Sequence, residues 1–428
     1  MTATTIDQIP DSPAILRQDW KIICLLGSAH SCSHFYQLVF PTLFLSLANE
    51  FGYNFGELGL LASIFYLVSS IGQASSGFIV DRIGPTPVLR FGLACFVVSA
   101  VLIGMASGYG MLVVAALVGG AGNSVFHPVD YSIINHRVSP LRLGHAYSTH
   151  GLTGNLGWAL TPVFMTTIIH LANWRVAVFC AGGLIAFVLL LVWLGRDLLA
   201  GRGNIAIAPE KEEAAEKRTA SLAEQSVGQT LVTLLKQPAL WGAFFFFVCT
   251  SISLSAVQNY TIPMLGDVYG IDKVLAGTTL SGYMVASAVG MLAGGFLVSA
   301  TPKTELTVAA SLILAGLFLV VLAAGLLTPS WAMVLVGLAG FCAGVATPSR
   351  DMLIRRVTPK GATGTVYGLV YSGMDVGSSL GPVGFGLMLD AGLSQGPWVG
   401  AGVSFVVAAV AALMVARAAA SRASPVPA

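Results

Sequence analysis

His30 and His34 stand four residues apart, His127 and Asp130 three apart, and His150 is followed one turn later by Asn155. Spacings of three and four place side chains on one face of a helix. All six lie in long apolar stretches. An ionisable group there costs roughly 2.5–3.5 kcal/mol on insertion scales, so those retained generally face a cavity or a partner. An imidazole can carry a proton at cellular pH, hold an anion when charged, or ligate a metal when neutral. It can equally satisfy a backbone carbonyl of a bent helix, as His127 before Pro128 would. For a metal the candidate ligands are His30, His34 and His127. Tight first-row sites usually add a carboxylate or thiolate, and Asp130 is the one obviously placed. Asp375 lies near the middle of another apolar stretch, where it can take a proton, oppose a cation, or bond a neighbour as a neutral acid. Tyr36, Gln37, Asn123, Tyr131, Gln258, Asn259 and Tyr260 complete the intramembrane polar set. His136, His145 and His170 fall near loops, where solvation accounts for them.

The chain that positions these groups has 428 residues, of which 55% are hydrophobic and 9% charged, with a mean hydropathy of +0.82. Soluble domains carry about 25% charged residues, so lipid is the main solvent here. A membrane helix needs about 20 apolar residues. Twelve stretches qualify, at about 21–49, 55–80, 87–107, 110–135, 143–171, 175–195, 239–267, 274–299, 305–327, 330–352, 363–390 and 397–416. At 1.5 Å per residue, His127, His150 and His30 lie about 12, 10 and 14 Å from the same membrane face.

The one long polar break, 196–237, holds 12 of the 40 charged residues, six of each sign. Such a zwitterionic linker excludes a nucleic-acid or anionic-lipid patch. The expected organisation is a cytoplasmic segment 1–20, a six-helix bundle 21–195, a cytoplasmic linker 196–237, a second bundle 238–417 and a tail 418–428. With the N-terminus inside, 19 of the 21 Lys and Arg residues fall in or beside cytoplasmic segments, and only Arg175 and Lys273 do not. The positive-inside rule therefore predicts both termini in the cytoplasm. Residues 1–20 do not read as a cleavable leader. Cysteines 24, 32, 95, 180, 249 and 342 lie in apolar stretches without CxxC spacing, so packing is expected rather than disulfides or zinc.

The two halves repeat. Gly144, Tyr147, Gly157, Leu160, Pro162 and Val163 recur 220 residues later as Gly364, Tyr367, Gly377, Leu380, Pro382 and Val383. Gly120, Val125 and Pro128 recur as Gly340, Val345 and Pro348. Ser69, Gly72, Gly77 and Val80 recur at nearly the same offset as Ser287, Gly290, Gly295 and Val298. Parallel repeats in a helical membrane protein imply two halves that rock about a shared site. The fold class predicted is an all-α membrane protein of twelve transmembrane helices in two parallel six-helix pseudo-repeats. Gly154, Gly157, Pro162, Gly373, Gly377, Gly381 and Pro382 form small-residue faces that let helices approach closely and bend.

Gly77-Phe-Ile-Val-Asp81-Arg82-Ile-Gly84 resembles the G-x-x-x-D-R-x-G signature of the major facilitator superfamily. The Gly-Pro face around Gly377–Pro382 resembles a second of its motifs. Gly120-Ala-Gly-Asn123-Ser-Val-Phe-His127-Pro128, with Ser33-His34, is similar to the fosmidomycin-resistance branch. The resemblance implies a single-chain secondary carrier working by alternating access, without a cofactor, monomeric, in a bacterial inner membrane or an invagination of it. It implies that the first and fourth helices line the central cavity, so that His30, His34, His127 and Asp130 are expected to border the transport path. It also implies that Gly77, Asp81, Arg82 and Gly84 form a latch, with Asp81 leaning on the start of the span near Thr363. Ser299 and Ala300 replace Asp81 and Arg82 in the second copy, so the latch is expected on one side only. An Arg carried by many proton-driven exporters early in the fourth span is replaced here by Ala116, leaving proton coupling to another group.

The leading expectation is proton-coupled efflux of a drug or metabolite. The alternative is transport of iron, another metal ion or a metal chelate, as in magnetosome-associated facilitators. A non-transporting membrane sensor ranks third. No P-loop, HExxH or catalytic serine motif supports an enzyme.

Overall fold

The computed structural model describes residues 12–200, 237–301, 303–357 and 363–423. Most of the charged linker and the side chains around Thr363 lie outside the described residues. The first span is two helices, Pro13–Gln37 and Val39–Phe51. Pro41 has no N–H, and its ring crowds the carbonyl four residues back, at Gln37, which opens the helix at Leu38. Pro128 acts in the same way on Ser124. The fourth span is accordingly Tyr109–Asn123 followed by Phe126–Arg137, and the break lies between Asn123 and His127.

The remaining rods of the first half are Phe55–Ile83, Pro85–Gly104, Leu143–Leu171 and Trp174–Leu194. Phe55–Ile83 opens on a capping box in which Asn54 and Glu57 satisfy one another's backbone N–H. The second half contains Pro238–Tyr269, Lys273–Ala300, Thr304–Ala323, Pro329–Val357, Thr363–Asp390 and Gly396–Ala423. Arg196–Ala200 is a short helix that belongs to the first bundle rather than to a free linker. Leu199 is buried, and Arg137 donates to the Leu198 carbonyl at 2.9 Å.

The described residues are helical, with no strand, and nine helices are long and apolar enough to cross a membrane. The first, fifth and eleventh rods fall outside that set. They carry His30, His34, His150 and Asp375, and glycines where they are packed closest. Their polarity is turned toward protein, which spares the lipid-facing surface.

Within each half the small-residue faces allow equivalent close approaches. The fifth rod packs on the first at Gly157, whose added Cβ would press on the Ser31 carbonyl. The eleventh packs on the seventh at Gly377, where an added Cβ would press on the Val248 carbonyl. The halves meet along two seams, second against eleventh and fifth against eighth. Each seam carries the same hydrogen bond. Val163 N–H, after Pro162, donates to Ser281 Oγ at 3.1 Å, and Val383 N–H, after Pro382, donates to Ser63 Oγ at 3.2 Å. A proline opens the local helical ladder, and the next amide is satisfied across the seam instead. Ser63→Ala and Ser281→Ala should each lower stability by about 1 kcal/mol. The check is the midpoint of thermal unfolding in detergent, where the double variant should show the sum. No change in either would mean the seams are not held by these bonds.

The face away from the termini is shut. Asp390 at the end of the eleventh rod accepts Phe55 N–H at 2.8 Å and Gly56 N–H at 2.6 Å, capping the second rod across the seam with a charge on its positive end. The Tyr260 hydroxyl reaches the Pro382 carbonyl beside it. On the termini face Asp81 is exposed and has no hydrogen bond or ion pair among the described residues. The latch expected at Asp81 thus makes no such contact among the described residues, and the charged contact between the halves stands on the other face, at Asp390 outside the repeated signature.

Candidate functional site

The break in the fourth span carries Asp130 into the core of the first bundle, where it is fully buried. One oxygen, Oδ2, faces two imidazoles, His30 Nδ1 at 2.9 Å and His150 Nε2 at 3.1 Å. When Asp130 is ionised it only accepts, and in that state both nitrogens carry their proton toward it. The two rings stack with centroids 3.5 Å apart. His127 stands 5.4 Å from the His30 ring, His34 4.6 Å from it, and the two are 6.3 Å from each other. Asp130 Oδ1, His127 Nδ1 and both ring nitrogens of His34 are buried without a hydrogen-bond partner. No Lys or Arg pairs with Asp130 among the described residues. Four imidazoles and a carboxylate in hydrogen-bonding or ring contact, with open acceptors at both ends, can take up, share and pass protons. Donor atoms of His30, His127 and His150 also lie within 4.8 Å of one another, close enough to meet one cation. In that trio His150 takes the place the sequence reading gave to His34.

The glycines of the fifth rod make this cluster possible. A Cβ at Gly154 would come within 3.0 Å of His34 Cε1 and 3.1 Å of His30 Nε2. Beside the cluster, Asn123 Oδ1 accepts Ser33 Oγ–H at 2.9 Å and Gln37 Nε2–H at 3.2 Å, and its amide donates to Ser69 Oγ at 2.8 Å. The indole N–H of Trp158 donates to Gln37 Oε1 at 2.9 Å, and His34 packs against the same indole at 4.3 Å. Trp158 therefore has one contact on each polar group.

Its other side faces a cavity of about 240 Å³ between the bundles. Asn155 and Trp158 line it from the first half, and Thr250, Ser251, Thr347 and Arg350 are among its lining from the second. Of the intramembrane residues singled out from the sequence, only Asn155 lines it. The histidines were expected to border the path, but they sit inside one bundle, separated from the cavity by Trp158. Helical spacing shows which residues share a face without showing which neighbour the face meets. Tyr36 stacks on Phe96 at 4.5 Å, away from the cavity. Tyr131 is half-exposed near the termini face, stacked on His127 at 5.9 Å. Gln258 and Asn259 are buried toward the shut face, Asn259 donating to the Ser255 carbonyl at 2.8 Å. Asp375 lies in the seam opposite Ser70 rather than in the cavity.

Sequence reasoning missed Trp158, Ser33, Ser69, Asp390 and above all Arg350. A signal was present. Arg350 is 220 residues after Asp130, so the repeat itself places it at the equivalent of the cluster's carboxylate. All six cysteines are free.

Two duplicated bundles joined by two equivalent seams around a central cavity are the architecture of a membrane carrier. The chain belongs to the Major Facilitator Superfamily, whose family model matches residues 26–382 and again 255–428. It is therefore an integral membrane protein of a transport family rather than an enzyme. Among curated relatives, the fosmidomycin resistance protein of Escherichia coli (strain K12) is 31% identical over 176 residues, covering 41% of this chain and 43% of that protein. The membrane sensor protein UhpC of the same strain is 23% identical over 248 residues, covering 56% and 55%. These two matches thus span about half the length of either relative. The fold is shared with a bacterial homologue of the human lysosomal transporter Spinster, solved inward-facing and unoccupied. Its TM-score is 0.71 at 16% identity, covering 96% of this chain and 97% of that one.

Proposed function

We propose that the protein is a proton-coupled secondary carrier that exports a small solute by alternating access, as a monomer in the cytoplasmic membrane with both termini inside. The observation that carries this reading is the adjacency of two unlike sites. The cavity is built by both bundles, so rocking about the seams would change which side it opens to. The His30–Asp130–His150 cluster belongs to one bundle alone and keeps its geometry as the bundles tilt. A solute needs the first kind of site and a coupling proton suits the second. Trp158, touching His34, bonded to Gln37 and lining the cavity, connects the two. Export is the direction favoured by the relative named for drug resistance.

The test is flux in reconstituted vesicles carrying a pH-sensitive dye. Accumulation of solute should follow an imposed proton gradient, and adding solute to de-energised vesicles should move protons in the opposite direction. A saturable flux indifferent to the proton gradient would remove the coupling and leave a facilitator. Absence of saturable flux under every gradient would favour a sensor, as one relative is named. Co-transport of a divalent metal with the imidazoles would favour the metal reading instead.

A further inference from the structure

We infer that the solute taken by the central cavity is a small organic anion with an apolar body, and that Arg350 is its anchor. The inference rests on the carrier reading and adds the chemical class of its substrate.

Among the described residues, Arg350 is the only charged side chain lining the cavity. It stands on the tenth span, two residues past Pro348 inside that helix. Its guanidinium lies over the Phe247 ring at 5.1 Å, and its Nε–H donates to Asp351 Oδ1 at 2.9 Å. A guanidinium has five N–H donors. Asp351 takes the one at Nε. The terminal NH₂ groups have no hydrogen-bond partner among the described residues, and Arg350 lines the cavity. The guanidinium thus offers the fork geometry that matches carboxylate and phosphate oxygens two at a time.

The neighbouring carboxylate does not consume this capacity. Asp351 is more exposed than Arg350, with 45% against 19% of its side chain accessible, and it also accepts the Tyr371 hydroxyl at 3.2 Å. It orients the guanidinium from behind and is not itself part of the lining. The rest of the described wall is apolar or neutral, with Trp158, Phe246, Met284, Met291 and Phe405 among it and no acidic side chain among the described lining to receive a positive group. Pockets for drug-sized molecules run to about 300–1,000 Å³, so a 240 Å³ cavity suits a smaller solute. An anionic head at Arg350 and a compact apolar or aromatic body match both ends.

The experiment compares four probes of similar size on purified protein: phenylphosphonate, benzoate, benzamide and benzylamine. Binding is read as thermal stabilisation in detergent, and exchange as counterflow in vesicles. Wild-type protein should bind the two anions and neither the amide nor the amine. Arg350→Gln should weaken anion binding about 10- to 100-fold, the loss expected for charge-assisted hydrogen bonds. Asp351→Asn, which removes the neighbouring negative charge while an amide oxygen can still accept Nε–H, should bind benzoate at least as tightly as wild type. It also guards against reading a misfolded Arg350 variant as support. Equal binding of benzamide or benzylamine, wild-type affinity in Arg350→Gln, or no binding of any probe would overturn the inference. Counterflow of benzamide without benzoate would overturn it while leaving the carrier reading intact.

Discussion

Asp130→Asn is expected to abolish coupled proton movement while leaving solute exchange. A positioned proton-transfer group is typically worth about 10²–10⁴-fold, so at least a hundredfold loss of proton flux per solute is expected. The substitution isolates chemistry from packing. An amide oxygen can still accept the N–H groups of His30 and His150, which stand at 2.9 and 3.1 Å from Oδ2, but it cannot take a proton. Counterflow, which needs only the cavity and the rocking, should persist. The measurement is proton movement by dye alongside labelled-solute exchange in the same vesicles. Undiminished proton movement would shift the coupling to another buried acid, with Asp375 in the seam the next candidate.

Gly157→Ala should be nearly as damaging without touching a polar group. The new methyl would press on the Ser31 carbonyl and lie 3.0 Å from Phe35 N and 3.1 Å from His34 Cβ. Two of these are backbone atoms, so no rotamer change relieves them, and the first and fifth helices must separate. Overpacking typically costs about 1–3 kcal/mol, and contact with backbone argues for the upper end. That exceeds the roughly 1 kcal/mol which alanine gains over glycine inside a helix. Separation would also pull His150 from Asp130, so flux should fall together with stability. Gly151→Ala, on the same helix but with nothing within 4 Å of its added Cβ, is the control and should be neutral or slightly stabilising. Equal behaviour of the two variants, by thermal unfolding and by yield of monodisperse protein, would show that the close approach is not limiting.

The duplication explains why these contacts come in pairs. Gly377 repeats the Gly157 approach in the second bundle, and the Ser63–Val383 bond repeats Ser281–Val163 across the other seam. The active residues, by contrast, have diverged. Asp130 and Arg350 occupy equivalent positions with opposite charge, one sealed among imidazoles and the other open to the cavity. On the proposed reading, a duplicated scaffold with unlike inserts would give one half a proton-handling core and the other an anchor for solute.

How much of this was legible beforehand follows from the range of each interaction. Membrane spans, the bend at Pro128, the head-to-tail duplication and the shared faces of His30 with His34 and His127 with Asp130 depend on residues within a few turns, or on identity between copies. Hydropathy and the 3.6-residue period record those directly. What each face meets is set by helix rotation and by partners 20 to 335 positions away. His150 completing the Asp130 pair, Asp375 turned to the seam, Asp390 capping a helix of the other bundle and Arg350 opening into the cavity were therefore decided by tertiary packing alone. A period along one helix carries no information about the angle at which its neighbour arrives.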